Sequence, residues 1–459
     1  MSSSLKKIGR QRFEVYVSHT RNPMVLGLVE EIAWYENYNR TLFGLIALDL
    51  TDKDFNVVIL GRDENRKVRC CELQISFTSF DSAESWMKQK VDEMEQSGET
   101  TFPQGEEYRE FDLFKPIKKN LDQYFKIVNE MPTHIAAKTL IQEITPHFFD
   151  IDGNFIEQFQ TTGFNSRLWE LYLFSYFNEE QLEIIKEYNA PDFMLSDGRF
   201  EVGLEAVIVS NRESNNINKM PNFEPEFIKD ELIDKMPLRF GSSLKSKCDH
   251  TDKNGLHYWE YEHTKGKPFI IAIADFHEAS SMVWSQPALY KYLYGYEYAY
   301  ERDENGNLTI IPIKVESHMK GSTVIPSGFF MLKGNENISA ILSTSLGTLS
   351  KFNRIGKQCG FDDNNTIMMR NVLYHDPDPN ASNPRAVSYQ VTEESYERWS
   401  EGVSIYHNPN ALVPVPDDFF MNAANHYFKD GFVESIIPYD FAYNSYTWLL
   451  TRKDEISDK

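Results

Sequence analysis

The chain of 459 residues carries 47 Lys and Arg against 69 Asp and Glu, a formal net charge of −22 at pH 7, and is 41% apolar with 32 Phe, 24 Tyr and 7 Trp. That content is enough for large buried cores and excludes a disordered or fibrous chain, while the acidic balance excludes wholesale binding to polyanions or anionic membranes unless basic residues gather locally. Cys70, Cys71, Cys248 and Cys359 form no CxxC pair, and the Met-Ser-Ser-Ser-Leu-Lys-Lys start has no apolar h-region, so a disulfide scaffold and a cysteine-rich zinc site are excluded and a cytoplasmic protein without membrane contact is expected.

Phe13 to Val17, Leu42 to Leu48, Phe55 to Leu60 and Val68 to Phe77 alternate with polar turns and predict a small antiparallel sheet, with Thr51-Asp52-Lys53-Asp54 closing a hairpin. Cys70 and Cys71 sit on one of these strands, one thiol toward the core and one toward the surface. Ser82 opens a helix over Ala83 to Met94, and Gln96 to Glu107 reads as a polar loop. Residues 1–125 are therefore expected to form an N-terminal α+β accessory domain. Helical spacing resumes from Ile117 to Ile144, and Asp150-Ile151-Asp152-Gly153 makes a turn before the most informative stretch, residues 163–212.

Leu168-Trp169-Glu170-Leu171-Tyr172-Leu173-Phe174 is apolar around nearly its whole circumference and predicts a buried helix whose single charge is Glu170. A buried carboxylate needs a partner, a metal or a proton. Arg167 is the candidate partner for a purely structural Glu170. Downstream, Asp197-Gly198 is the favoured dipeptide of a two-residue hairpin turn. With those two residues as the loop, Asp192 falls opposite Gly203 and Phe193 opposite Val202. Asp192, Gly203 and Glu205 then share one face, with the two acids as diagonal neighbours, and Phe193, Leu195, Phe200, Val202, Leu204, Ala206 and Ile208 form an apolar row on the other. Two acids and a small Gly203 suit a hard-cation, all-oxygen seat of the kind Mg²⁺ takes. The bland alternative is a solvated hairpin face, to which Glu201 also belongs.

Beyond this stretch, Glu224 to Lys247 is helix-compatible, Phe269 to Ala274 predicts a buried strand, and Leu308 to Val315 and Ile338 to Ser343 add strands. The last hundred residues, with His375-Asp376-Pro377-Asp378-Pro379-Asn380 and His407-Asn408-Pro409-Asn410, predict long ordered loops. His277 stands just past the buried strand, where site residues collect, though a satisfied polar residue is the plainer reading. Lys351-Phe352-Asn353-Arg354-Ile355-Gly356-Lys357 is the densest basic stretch, read as a solvated helix face or a track for a nucleic-acid backbone. Neither His375-Asp376 nor His407-Asn408 has metal-ligand spacing, so turn chemistry explains both.

The segment resembles the PD-(D/E)xK nuclease superfamily: Pro191-Asp192 looks like its Pro-Asp, Glu205-Ala206 like its acid-plus-x, and Glu170 like its helix acid. Val207 stands where that pattern has lysine, and Lys245 or Lys247 on the following helix is the candidate replacement. The resemblance implies a restriction-endonuclease-like α/β core, α+β over the whole chain, within 126–350. Residues 351–459 would form a C-terminal extension packed on it. It implies a Mg²⁺- or Mn²⁺-dependent nuclease of prokaryotic genome defence, with Asp192, Glu205 and Glu170 as metal ligands and nucleic acid as substrate, aided by a protein partner or a homo-oligomer. The alternatives are a catalytically inactive module of the same fold, favoured by Val207, and a glycoside hydrolase using the paired carboxylates.

Overall fold

A computed structural model of the chain describes residues 5–21, 27–102, 112–148, 153–210, 223–363 and 365–451. The architecture is mixed α and β, as the α+β reading expects. Strands β1 (Leu5–Ile8), β2 (Val29–Asn37), β3 (Leu42–Asp49), β4 (Phe55–Arg62) and β5 (Val68–Phe77) form a sheet in chain order, each pair antiparallel. Three of them coincide with the predicted strands. Phe13 to Val17 does not: Arg10–Val17 is a helix that buries Phe13, Tyr16 and Val17. Five residues satisfy a period of two and a period of 3.6 equally well, and here tertiary packing selects the helix. Strand β2 went unread because a bulge between Glu31 and Ala33 breaks its alternation. The helix Phe80–Gln96 starts one turn earlier than the sequence suggested, with the Ser79 hydroxyl accepting the Ser82 N–H at 3.2 Å. It covers one face of this sheet with Met87 and Val91. The predicted loop over Gln96 to Glu107 lies outside the described residues from Pro103 onward, as does Asp150-Ile151-Asp152.

The centre of the molecule is a mixed sheet. In chain order come β6 (Glu183–Ile185), β7 (Phe193–Ser196), β8 (Glu201–Ser210) and β9 (Phe269–Phe276), then the hairpins β10 (Tyr296–Arg302) with β11 (Leu308–Lys314) and β12 (Ser317–Lys320) with β13 (Thr323–Pro326). After them follow β14 (Ala340–Thr344), β15 (Thr366–Tyr374), β16 (Arg385–Gln390), β17 (Val403–His407), β18 (Ala424–Lys429), β19 (Phe432–Ile436) and β20 (Ala442–Thr451). Eight of these pair in the order β19-β18-β17-β14-β9-β8-β7-β6, with β8, β9 and β14 parallel to one another. The run Leu308 to Val315 is a strand but belongs to a separate hairpin, and the last hundred residues, read as loops, contain six strands among the described residues. Three of these, β16-β15-β20, make an antiparallel sheet of their own. Their Pro, Asn and Asp clusters lie in the connections between strands.

Both faces of the central sheet are covered, which is why β9 reads as an unbroken apolar run. On one face lies the helix Phe164–Glu179, whose Trp169 indole donates to the Ala272 carbonyl at 3.2 Å. That helix is apolar all round because the N-terminal unit closes over it: Phe13, Tyr16, Phe43 and Val68 belong to the same buried cluster. On the other face lie Met236–Cys248, which continues a helix begun at Pro225, and Met282–Tyr294. Among the described residues no helix is long and apolar enough to cross a membrane.

Candidate active site

The hairpin β7–β8 pairs Phe193 with Leu204, Met194 with Gly203 and Ser196 with Glu201. The loop is thus four residues long rather than two: the Asp197 carboxylate accepts the N–H groups of Arg199 at 2.8 Å and Phe200 at 2.7 Å, and Phe200 leaves the strand for the surface. Relative to the expected pairing the register moves by two residues. An even shift preserves the faces, so Asp192 and Glu205 still share one, but Asp192 now stands level with Glu205 instead of Gly203. Two hydrogen bonds fix the pair: the Asp192 N–H donates to Glu205 Oε2 at 3.2 Å, and the Ala206 N–H donates to Asp192 Oδ2 at 2.8 Å. Gly203 is small for packing, since a Cβ there would lie 3.1 Å from the Phe269 ring and 3.4 Å from the Thr264 methyl.

Glu205 is only 4% exposed, so the solvated-face alternative does not hold for it. Glu201 does stand half-exposed, paired with Lys267 at 2.5 Å. Of the two lysines expected to replace the one missing at Val207, Lys247 reaches the acids, donating from Nζ to Glu205 Oε1 at 2.5 Å. Lys245 turns outward on the same helix and pairs with Asp249 at 2.6 Å, both largely exposed. Two residues along a helix is a rotation of about 200°, which parts them.

Glu170 is held by Arg167 at 2.6 Å, the partner the sequence suggested. Arg167 is itself fixed by Gln158 at 2.9 Å and Asn154 at 3.0 Å. Glu170 nevertheless feels Glu205 and Lys247: burial raises its proton affinity, Arg167 opposes the rise, and Glu205 adds to it. Asp192 is pushed well above the usual carboxylate range, first by desolvation and then by the charges of Glu205 and Glu170, against Lys247 and the Ala206 N–H. The residue keeps solvent access on one side, which moderates that rise. Tyr258 also faces Glu205. Burial and that carboxylate raise the phenol's proton affinity, and nothing in the sequence marked this tyrosine as a neighbour of the acids.

Among the described residues no three or more His, Cys, Asp and Glu side chains are grouped so as to hold a metal ion. The expected three-acid cluster is replaced by a five-membered ionic group. Asp192 and Glu205 are level, Lys247 stands beside Glu205, and Glu170 is set back on Arg167. Its three acids exceed its two cations by one charge.

The remaining candidates resolve into structure. The helix Leu349–Gln358 buries Lys351, Asn353 and Arg354 completely or nearly so, so the basic stretch is neither a solvated face nor a nucleic-acid track. His277 donates from Nδ1 to Asp275 Oδ1 at 2.7 Å, and although burial opposes ionisation, His277 holds that carboxyl low. His375 meets the Tyr443 hydroxyl at 3.0 Å and His407 meets Asn425 at 2.9 Å, while Asp376 and Asn408 accept turn N–H groups. Cys70 is exposed and Cys71 partly buried, as the strand alternation expected.

No family model, curated protein or solved structure matches this chain.

Proposed function

We propose that the protein is a Mg²⁺-dependent phosphodiesterase acting on nucleic acid. The observation that carries this reading is the pair Asp192 and Glu205, level on adjacent strands, with Lys247 delivered from the next helix to 2.5 Å from Glu205. The order of helix acid, Pro-Asp strand, acid strand and helix lysine resembles the PD-(D/E)xK pattern with its lysine moved off position 207. The donor set suits the ion: Mg²⁺ takes one or two protein carboxylates, keeps several waters and completes its shell with substrate phosphate. With Asp192 ionised the five groups carry one uncompensated negative charge, which favours a cation there on electrostatic grounds.

Asp192 and Glu205 would hold the ion, which supplies a water-derived hydroxide at neutral pH and offsets charge on the phosphate. Lys247 would present its ammonium where the phosphoryl oxygens gain negative charge. Water oxygen would bond to phosphorus as the P–O bond to the leaving sugar oxygen breaks, the water giving up its proton to solvent and the leaving oxygen taking one from solvent. Arg167 anchors Glu170 behind the pair, and the Ala206 N–H orients Asp192.

Plasmid, single-stranded DNA and RNA incubated with Mg²⁺, Mn²⁺ or EDTA provide the test. Metal-dependent cleavage is expected, reduced about 100-fold or more by Asp192→Ala and by Glu205→Ala. Cleavage that persists in both variants removes the site. No cleavage together with no calorimetric signal for Mn²⁺ replaces the enzyme by an inactive module of the same fold. Turnover of glycosides without added metal would replace it by a glycosidase.

A further inference from the structure

Strands β8, β9 and β14 run parallel, and the carboxyl ends of parallel strands are where open α/β sheets seat ligands. Strand β9 pairs Ile271 with Glu205 and Asp275 with Val209. Asp275 therefore lies on the same face of the sheet as Glu205, four residues or about 13 Å farther along. A cavity of about 10 Å³ opens there. Its walls include Asp275, Ser343 on β14 and Ser345 just past it, Ser285 and Gln286 on the helix Met282–Tyr294, and Phe240 on the helix Met236–Cys248.

These walls are rich in acceptors. Asp275 is 5% exposed, and its Oδ1 takes both hydrogen bonds from His277, the backbone N–H at 3.1 Å and ring Nδ1 at 2.7 Å. Oδ2 accepts none among the described residues, with the Ser285 hydroxyl beside the carboxylate. Other side-chain donors of the walls are committed elsewhere. Ser343 Oγ donates to the Ile273 carbonyl at 2.8 Å, Ser345 Oγ to the Tyr443 carbonyl at 2.5 Å, and Gln286 Nε2 to the Tyr406 hydroxyl at 3.2 Å. Each of these groups keeps oxygen lone pairs for a further partner. The first turn of the adjoining helix makes no seat for an anion, because the Val283 N–H donates to Ser280 and the Trp284 and Ser285 N–H groups to Ser281.

A buried carboxylate oxygen without a donor or a counter-charge is costly, and the cavity has room for one water-sized body. A single carboxylate among neutral oxygens matches a single positive charge. Mg²⁺ would bring several waters, for which there is no room, and Ca²⁺ takes six to eight oxygen ligands. We propose that this cavity binds one monovalent metal cation, K⁺ or Na⁺, through Asp275 Oδ2 and the side-chain oxygens of Ser285, Ser343, Ser345 and Gln286. This site is independent of the phosphodiesterase reading. The ion ties two helices to the sheet, and one of them, Met236–Cys248, carries Phe240 at the cavity and, two turns on, Lys247 at Glu205.

Two measurements on the full chain test the site. Thermal melts in EDTA, with KCl or NaCl replacing choline chloride at constant ionic strength, read binding, and crystals soaked in thallium(I) nitrate, with Tl⁺ standing in for K⁺, locate the ion by anomalous scattering. The melting midpoint is expected to rise by about 2 °C and to saturate as the metal salt replaces choline. An anomalous peak is expected at Asp275 Oδ2, and Asp275→Asn should abolish both signals. If Asp275→Asn does not fold, Ser343→Ala keeps the Asp275–His277 pair and is expected to raise the salt concentration at half-saturation about threefold. The salt that saturates at lower concentration assigns the ion. Equal midpoints in KCl, NaCl and choline chloride overturn the site, as does a response unchanged in Asp275→Asn, or in Ser343→Ala where that variant takes its place. So does a Tl⁺ peak confined to Asp192 and Glu205, or none at all, either of which gives the cavity to water. Nucleic-acid cleavage without the K⁺ or Na⁺ response removes this site and leaves the enzyme, and the response without cleavage does the reverse.

Discussion

Lys351, Arg354 and Arg370 meet Glu397 and Glu401 in one buried cluster; Arg167 and Lys247 meet Glu170, Asp192 and Glu205 in another that opens to solvent at Asp192. In the first, the cations are in excess. Glu397 accepts from Arg354 at 2.9 Å, Arg370 at 2.9 Å and Lys351 at 3.4 Å, and Lys351 reaches Glu401 at 2.7 Å. Burial opposes the ionisation of Glu397, yet its three cations hold it far below the ordinary carboxylate range, and Glu401 is lowered too. In the second cluster the acids are in excess and the shift reverses, with Asp192 raised. One arrangement ties the Leu349–Gln358 helix to β15 and to the loop that carries both glutamates. The other leaves its acids one charge in excess of its cations where β7 begins beside β8.

The sharpest way to break this contrast is Glu397→Gln. It leaves three fully buried cations around one remaining carboxylate, and removing one partner of such a group costs about 3–5 kcal/mol. Urea unfolding is expected to show that loss, with part of the chain unfolded at 37 °C. If Glu397→Gln costs no more than Asp192→Asn, the claim that the two clusters serve different ends fails.

Asp192→Asn should do the opposite on a smaller scale. It removes a repelled charge, so stability at pH 7 is expected to rise by less than about 1 kcal/mol, because solvent reaching Asp192 screens the repulsion. The sign follows from linkage. An acid whose folded value is raised costs nothing below the unfolded value of about 3.9, and the cost grows as pH climbs from there through the folded value. The benefit of the substitution should therefore appear at pH 7 and vanish near pH 3.5. Glu397 and Glu401 behave conversely: their stabilisation is complete above about pH 4.3 and is lost as pH falls through their depressed folded values. Thermal melts of wild type and Asp192→Asn at both pH values check this, and a benefit that is equal at the two would show that Asp192 is not under repulsion.

These two clusters also show what a sequence can reveal. The acids were legible because all the steps are local: a buried helix with one charge, Pro-Asp before a strand, a Gly turn, and parity. The loop length was misjudged, since an Asp side chain capping two N–H groups closes a wider turn than Asp-Gly alone suggests, but an error of two residues leaves parity intact. The basic cluster was misread because Lys351 and Arg354 find their acids about forty to fifty residues later, at Glu397 and Glu401, and no spacing rule links such positions.

The smallest predicted contrast lies within one helix. Lys247→Ala and Lys245→Ala remove the same charge two positions apart, so any general electrostatic effect is common to both. Lys247 is three-quarters buried and bonded to Glu205, whereas Lys245 pairs with Asp249 in the open. Loss of Lys247 removes the Nζ donor to Glu205 Oε1 and raises the acid excess from one charge to two, so binding of Mn²⁺ is expected to strengthen, by roughly tenfold if removing the ammonium relieves about 1.4 kcal/mol of repulsion. On the proposed mechanism phosphodiester cleavage should nonetheless fall, because the cation assigned to the phosphate is gone. Lys245→Ala should alter neither, as an exposed i,i+4 pair contributes little. Isothermal titration with Mn²⁺ separates the outcomes. Weaker ion binding in Lys247→Ala would mean that the lysine organises the acids rather than competing with the ion for them.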